Sequence, residues 1–185
     1  MNGPDPAGNW FVALPATVDP GMLEAVFAGA PPFLRRFHPA DLHVTLAFFG
    51  RLTPERVAAV RDRLATLVVE AVEAGGAALV LLPGPRRPTA VALAFGAGAG
   101  VLAAVIARQR PGLLAAAGCP LDERAPLPHL TIARPPRRMD GRGGRVLREW
   151  AAAVVLPSPL PVHLGPPRLF GRSLDRAVRR FQVLD

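Results

Sequence analysis

Two short segments of this chain carry the same chemistry-bearing pattern. Leu42 to Gly50 reads LHVTLAFFG, and Pro128 to Arg134 reads PHLTIAR. Both are apolar and rich in strand-forming residues, and side chains on a strand alternate between its faces. His43, Thr45 and Ala47 then share one face, opposite Leu42, Val44, Leu46 and Phe48. His129, Thr131 and Ala133 likewise align, opposite Leu130 and Ile132. Each strand therefore offers an apolar side to a helix and an imidazole with a hydroxyl to a shared cleft. Histidine's ordinary pKa, near 6.5, lets it give or take a proton at neutral pH. A phosphodiester cleaved by water needs a base for the nucleophile and an acid for the leaving oxygen. Two histidines supply both without a metal, each typically contributing roughly 10²- to 10⁴-fold. The threonines can donate hydrogen bonds to the non-bridging phosphate oxygens, where charge builds in the transition state.

Competing readings of these and other residues fare less well. A lone histidine near a strand is usually structural, which is the reading given to His38 and His163. Packing alone does not account for a His-x-Thr face that occurs twice together with its apolar reverse. Zinc takes three or four protein ligands, and Asp41 and Glu123, which precede the two motifs, lack ligand spacing, so no metal is expected. Gly96-Ala97-Gly98-Ala99-Gly100 lies between a strand and a helix, as a dinucleotide loop would. However, Val101 holds the place of the third glycine and no parallel β-α-β unit follows, so no cofactor is expected.

The elements that must position these groups come from a chain of 185 residues, half of them apolar, which is enough for one domain with a sizeable core, built from two similar lobes. The net charge is +8 and every basic residue is arginine. Arginine suits phosphate, but a GC-rich genome would favour it too, so the charge is compatible with nucleic acid without arguing for it. A single cysteine, Cys119, gives no sign of an oxidising compartment, and no signal peptide is visible, so a cytoplasmic protein is expected. Pro88 to Ala107 is uncharged and long enough to span a bilayer, but its glycine-rich middle marks a strand-to-helix turn, so no membrane span is expected.

Strands are expected at Asn9–Leu14 (ended by Pro15), Leu42–Phe49, Ala77–Leu82, Thr89–Phe95, His129–Ala133, Val162–Phe170 and Val178–Leu184. Helices are expected around Pro20–Ala28, from Pro54 (capped by Thr53) to a stop at Gly75-Gly76, over Val101–Gln109 with Pro111 breaking or kinking it, and around Val146–Val155. The segments Pro135–Gly144 and Pro157–Pro167 read as exposed loops.

The paired motifs, with FVALP near the start and RLFGRSL near the end, resemble the 2H phosphoesterase superfamily, and within it the bacterial and archaeal RNA 2′,3′-cyclic phosphodiesterases once called 2′-5′ RNA ligases. The order and spacing are similar over nearly the whole chain. The resemblance implies an α+β fold, bilobal, with two pseudo-symmetric lobes whose antiparallel sheets line a central cleft with helices outside. It implies metal-independent hydrolysis of a terminal 2′,3′-cyclic phosphate to a 2′-phosphate, on RNA ends or cyclic nucleotides, by a protein that needs only to be a monomer. On this likeness His43 is the general acid, His129 the general base, and Thr45, Thr131 and Arg134 bind substrate. Simple alternation sets Arg134 on the face opposite His129, so it reaches the cleft only if the strand ends, twists or bulges before Pro135. The chain departs from its relatives at Asn9-Trp10, where they carry an arginine, and at Ala90 and Ala92, where many carry an aromatic residue. If that aromatic stacks the terminal base in relatives, Phe48 and Phe49 are the candidates to replace it, and by parity only one can face the cleft. Two alternatives stay open on sequence: 2′-5′ RNA ligation in the same cleft, and a non-catalytic module that holds RNA ends.

Overall fold

The computed structural model describes residues 8–69, 72–173 and 179–184. Along the chain come β1 (Trp10–Thr17), α1 (Pro20–Val26), β2 (Arg35–Arg36), β3 (His43–Gly50), α2 (Pro54–Ala65), β4 (Glu73–Leu82) and β5 (Ala90–Phe95). There follow α3 (Ala99–Ala117), β6 (His129–Arg134), α4 (Gly141–Ala153), β7 (Pro161–Leu164), β8 (Arg168–Arg172) and β9 (Phe181–Val183). A 3-10 turn at Pro39–Asp41 leads into β3. The strands form a nine-stranded sheet in the order β2-β6-β5-β4-β7-β1-β8-β9, with β3 also on β1. Every pairing is antiparallel. One half, β3-β1-β8-β9, holds the first motif strand; the other, β2-β6-β5-β4, holds the second. Strand β7 joins them by pairing with both β1 and β4. This is the expected α+β arrangement of antiparallel sheets with helices outside.

The helices cover the halves crosswise. Helix α3 follows β5 of the second half yet packs on β3 of the first, beside α2. The end of α1, which follows β1, lies with α4 beside the second half. There Phe27 stacks on Trp150 at 6.3 Å, and Trp150 Nε1 donates to the Ala28 carbonyl at 3.1 Å. Strand β1 is buried on both faces. Trp10, Val12 and Leu14 join the large core, while Phe11 and Ala13 form a small cluster with Phe170 on the opposite side.

Several boundaries differ from those read in the sequence. Pro15 does not end β1: it pairs with His43, and its carbonyl accepts from Gly165 N at 2.8 Å. Helix α2 is capped by Thr53 as expected but closes at Thr66, whose hydroxyl donates to the Arg63 carbonyl at 2.8 Å. Gly75 and Gly76 belong to β4 instead of stopping the helix; a Cβ on Gly76 would lie 2.8 Å from Leu160 Cδ2. Pro111 does not break helix α3, which continues to Ala117, because burying Leu113, Leu114 and Ala117 outweighs the roughly 3 kcal/mol an interior proline costs. Asp140 starts α4 inside the expected 135–144 loop, its side chain accepting from Gly143 N at 2.7 Å. The expected strand from Val162 to Phe170 is two strands, β7 and β8, parted by Gly165-Pro166-Pro167, so β7 falls in the expected 157–167 loop. Of the expected last strand, β9 keeps Phe181–Val183, and Val178 lies outside the described residues. No helix among the described residues is long and apolar enough to cross a membrane.

The glycine-rich loop before α3 has a structural job. Gly98 caps that helix at φ +76°, and a Cβ there would run into the Glu73 carbonyl oxygen. Both the left-handed backbone and the backbone contact require glycine. Gly98→Ala should lower unfolding stability by about 2 kcal/mol or more in a denaturant titration, while the Gly100→Ala control, with open space at its Cβ, should hold or gain stability.

Candidate active site

His43 opens β3 directly after the 3-10 turn, and Asp41 in that turn fixes it twice. The Asp41 carbonyl accepts from His43 Nδ1 at 2.6 Å. The Asp41 carboxylate, 1% exposed, accepts from the backbone N–H groups of Arg180 (2.8 Å) and Phe181 (3.2 Å), with the Arg179 guanidinium at 3.8 Å. A buried carboxylate is tolerated only with such partners. The result ties residues 179–181 to the turn and sets Phe181 edge-on against the imidazole, with ring centroids 5.4 Å apart. Phe11 at 4.7 Å and Phe170 at 5.5 Å complete a cage over the small side chain of Ala13.

The cage sets the charge of His43. Burial is the largest influence and pushes its pKa down from 6.5 to about 4. The hydrogen bond to Asp41 and the Asp41 charge pull the other way, while His129 and Arg134 push it further down. His43 is therefore neutral at pH 7. Since a carbonyl can only accept, the proton sits on Nδ1 and the lone pair on Nε2.

His129 is held in the same way. Its Nδ1 donates to the Leu127 carbonyl at 2.8 Å, again two residues back along the chain. Both rings thus turn Nε2 away from their own strands. The influence of His129 on His43 places the rings in one electrostatic neighbourhood, and β3 and β6 touch across the gap between the two halves of the sheet. Thr45 and Thr131, two residues further along, are half-buried on the histidine faces.

The two motif strands also share a bulge. On β3 the register steps from Ala13↔Thr45 to Val12↔Ala47, and on β6 from Ala92↔Thr131 to Val91↔Ala133. Each strand gains one residue, so Leu46 with Ala47, and Ile132 with Ala133, all point into the core. The next residue then returns to the histidine side. That corrects simple alternation at four residues: Ala47 and Ala133, expected on the histidine faces, lie in the core instead, and Phe48 and Arg134 take the histidine sides. Arg134 comes round to the side of His129, near enough for its charge to lower the pKa of His43. Phe48 comes round to the side of His43, stacked 6.4 Å from Phe11, while Phe49 is buried.

Arg134 meets other cations here. It lies 5.8 Å from the Phe37 ring, which Arg180 also approaches at 5.0 Å. Though much of its side chain is exposed, desolvation of the guanidinium lowers its pKa first, followed by the charges of Arg180 and Arg137. Such a grouping is most stable with an anion among it. Sequence reasoning missed Phe11, Phe170, Phe181, Phe37, Arg180 and the anchoring role of Asp41. The local signals were an isolated Asp two residues before the motif histidine and the segments FVALP and RLFGRSL, which contain Phe11 and Phe170. His38 caps the 3-10 turn, its Nδ1 accepting from Ala40 N at 3.2 Å, and is structural as expected. His163 stands on β7, exposed and paired with Thr17 and Glu73. Gly96–Gly100 joins a strand with antiparallel neighbours only, so no dinucleotide-binding unit forms there. Among the described residues, no group of three or more His, Cys, Asp or Glu could hold a metal ion.

No protein-family model matches the chain, and no curated protein matches it significantly. Solved structures share its fold. LigT of Escherichia coli complexed with 3′-AMP aligns at a TM-score of 0.68 and 19% identity, over 96% of this chain and 95% of that one. A crystal structure described as a phosphoesterase aligns at 0.66 and 19%, over 99% and 97%. TT0787 of Thermus thermophilus aligns at 0.62 and 17%, over 96% and 95%.

The depressed pKa of His43 has a signed consequence for stability. Between pH 6.5 and about 4 the unfolded chain binds a proton that the folded chain refuses. Stability from this group is fully present above pH 6.5 and falls as the pH drops through that window, by about 3 kcal/mol at most. In chemical denaturation at pH 7 and pH 4.5, His43→Gln should lose less stability on acidification than the parent. Equal losses would show that His43 is not held neutral by the fold.

Proposed function

We propose that this chain hydrolyses the 2′,3′-cyclic phosphate at RNA ends, or of free nucleotides, to a 2′-phosphomonoester. The observation that carries the reading is the matched pair of histidines, each with Nδ1 bonded to the carbonyl two residues back, which leaves Nε2 as the ring nitrogen available for chemistry. The shared fold with phosphoesterase structures agrees with it. We take residues 1–185 as one domain of two lobes, working in the cytoplasm as a monomer.

In this mechanism His129 Nε2 takes a proton from water as the water oxygen attacks phosphorus. The bond from phosphorus to the 3′ oxygen breaks, and a proton on His43 Nε2 passes to that oxygen. The product carries a 2′-phosphate and a free 3′-hydroxyl. The hydroxyls of Thr45 and Thr131 donate to the non-bridging oxygens, and Arg134 offsets their charge. The division of roles follows the family resemblance, because the two rings are held alike. It requires His43 to gain a proton that it lacks in the free protein. A phosphate anion between the rings acts in that direction, since a nearby negative charge raises a histidine pKa.

Incubation with each nucleoside 2′,3′-cyclic phosphate, with products read by ³¹P NMR, should yield the 2′-phosphate only. His43→Ala and His129→Ala should each cut turnover by roughly 10²- to 10⁴-fold while the circular dichroism spectrum is kept. Turnover should be unchanged by EDTA; loss with chelator and recovery with zinc would overturn the proposal. In the pH profiles, the limb of kcat/KM near the free-protein value of His43, about 4, should move upward in kcat, which reports the complex.

A further inference from the structure

We propose that Arg110 is a positioning residue for His129, bracing the loop that delivers this ring against the helix that packs on the strand of His43. This rests on the reading of the site given above. Between α3 and β6 the chain crosses residues 118–128 with no strand or helix, and none of these residues is buried. Core packing therefore does not hold the loop. Leu127, whose carbonyl accepts from His129 Nδ1, is 62% exposed. Among the described residues, every hydrogen bond that reaches residues 120–126 from outside the loop comes from Arg110. Its guanidinium donates to the Arg124 carbonyl at 3.0 Å and to the Asp122 carboxylate at 3.5 Å. Asp122 in turn accepts from the backbone N–H of Arg124 at 3.2 Å and from its guanidinium at 2.8 and 2.9 Å. These bonds from Arg124 hold the Asp122 carboxyl down at about 2, so it is charged wherever a histidine ordinarily titrates.

An exposed ion pair by itself contributes little. Arg110 differs because only 15% of its side chain is exposed and its shorter bond goes to a backbone carbonyl, where a charged donor strengthens it. The segment beyond that anchor is stiff. Ala125-Pro126-Leu127-Pro128 joins Arg124 to His129. Each proline fixes its own φ and confines the residue before it to extended backbone, so all four residues are restricted. Such a segment acts as a semi-rigid spacer of about 3.1 Å per residue. A shift at Arg124 is therefore carried to the Leu127 carbonyl and to the ring it holds. At its other end the brace reaches the first motif. Helix α3 packs on β3, and Cys119, just beyond that helix, sets its Sγ 3.7 Å from the Phe49 carbonyl of the same strand. Arg110 thus refers the position of His129 to the strand that carries His43. Two groups that act on one phosphorus centre need that fixed relation.

The test compares the parent with Arg110→Ala, Arg110→Lys and Asp122→Ala, by turnover of adenosine 2′,3′-cyclic phosphate and by long-range ¹H–¹⁵N spectra of the imidazoles. Arg110→Ala should lower kcat by roughly 10- to 10²-fold with little change in KM. Its His129 should become a mixture of tautomers, while His43, held by Asp41, stays protonated on Nδ1. Arg110→Lys retains one donor for the Arg124 carbonyl and should recover part of both effects. Asp122 lies in the loop outside the core, so Asp122→Ala guards against a folding defect in Arg110→Ala. It should share the defect, and the double variant should be no worse than Arg110→Ala. An unchanged His129 spectrum and kcat in both alanine variants, or equal tautomer mixing at both histidines, would overturn the assignment while leaving the hydrolase reading intact. A parent that turned over no cyclic phosphate would remove the hydrolase reading, and the spectra alone would then show whether Arg110 orders His129.

Discussion

The site depends on one repeated hydrogen bond, from a histidine Nδ1 to the backbone carbonyl two residues earlier. A free imidazole rotates and exchanges tautomers, and either would scatter the lone pair that the proposed proton transfer needs. The carbonyl removes both freedoms, because it accepts only and lies on the same chain as the ring it holds. For His43 the constraint extends outward. The residue that supplies the carbonyl, Asp41, uses its buried carboxylate to hold the backbone of Arg180 and Phe181. The end of the described chain thus orders the first motif and closes the aromatic cage around its ring.

The second constraint is geometric. A strand can present only every other residue to a cleft, which limits how densely a regular strand can furnish a site. The bulges in β3 and β6 relax that limit and bring a further residue onto the histidine side, an aromatic from one strand and a guanidinium from the other. Those two strands are otherwise furnished alike, and this difference sets the grouping of Arg134, Arg180 and Phe37 apart from the row of phenylalanines.

Much of this was legible in the sequence. The His-x-Thr repeats marked the histidine faces, and the alternating apolar reverse anticipated the packing of α3 on β3. The capping residues Thr53 and Pro54 placed the start of α2. What escaped was of two kinds. Local rules failed where tertiary burial outweighed them, as at Pro111 within α3, Pro15 within β1 and the glycine pair within β4. Alternation failed at Leu46-Ala47 and Ile132-Ala133 because a bulge is a property of pairing with the neighbouring strand, which no single strand announces. The cage around His43 draws on β1, β8 and β9, whose adjacency is a matter of topology.

The central claim is that the Nε2 atoms of His43 and His129 converge on one phosphorus centre. ¹⁵N NMR of the imidazoles, followed through a titration with a nucleoside 2′-phosphate, tests it most directly. Both rings should start as the tautomer protonated on Nδ1, and both Nε2 resonances should move along one saturation curve. Movement of one Nε2 alone, or two curves with different midpoints, would contradict it.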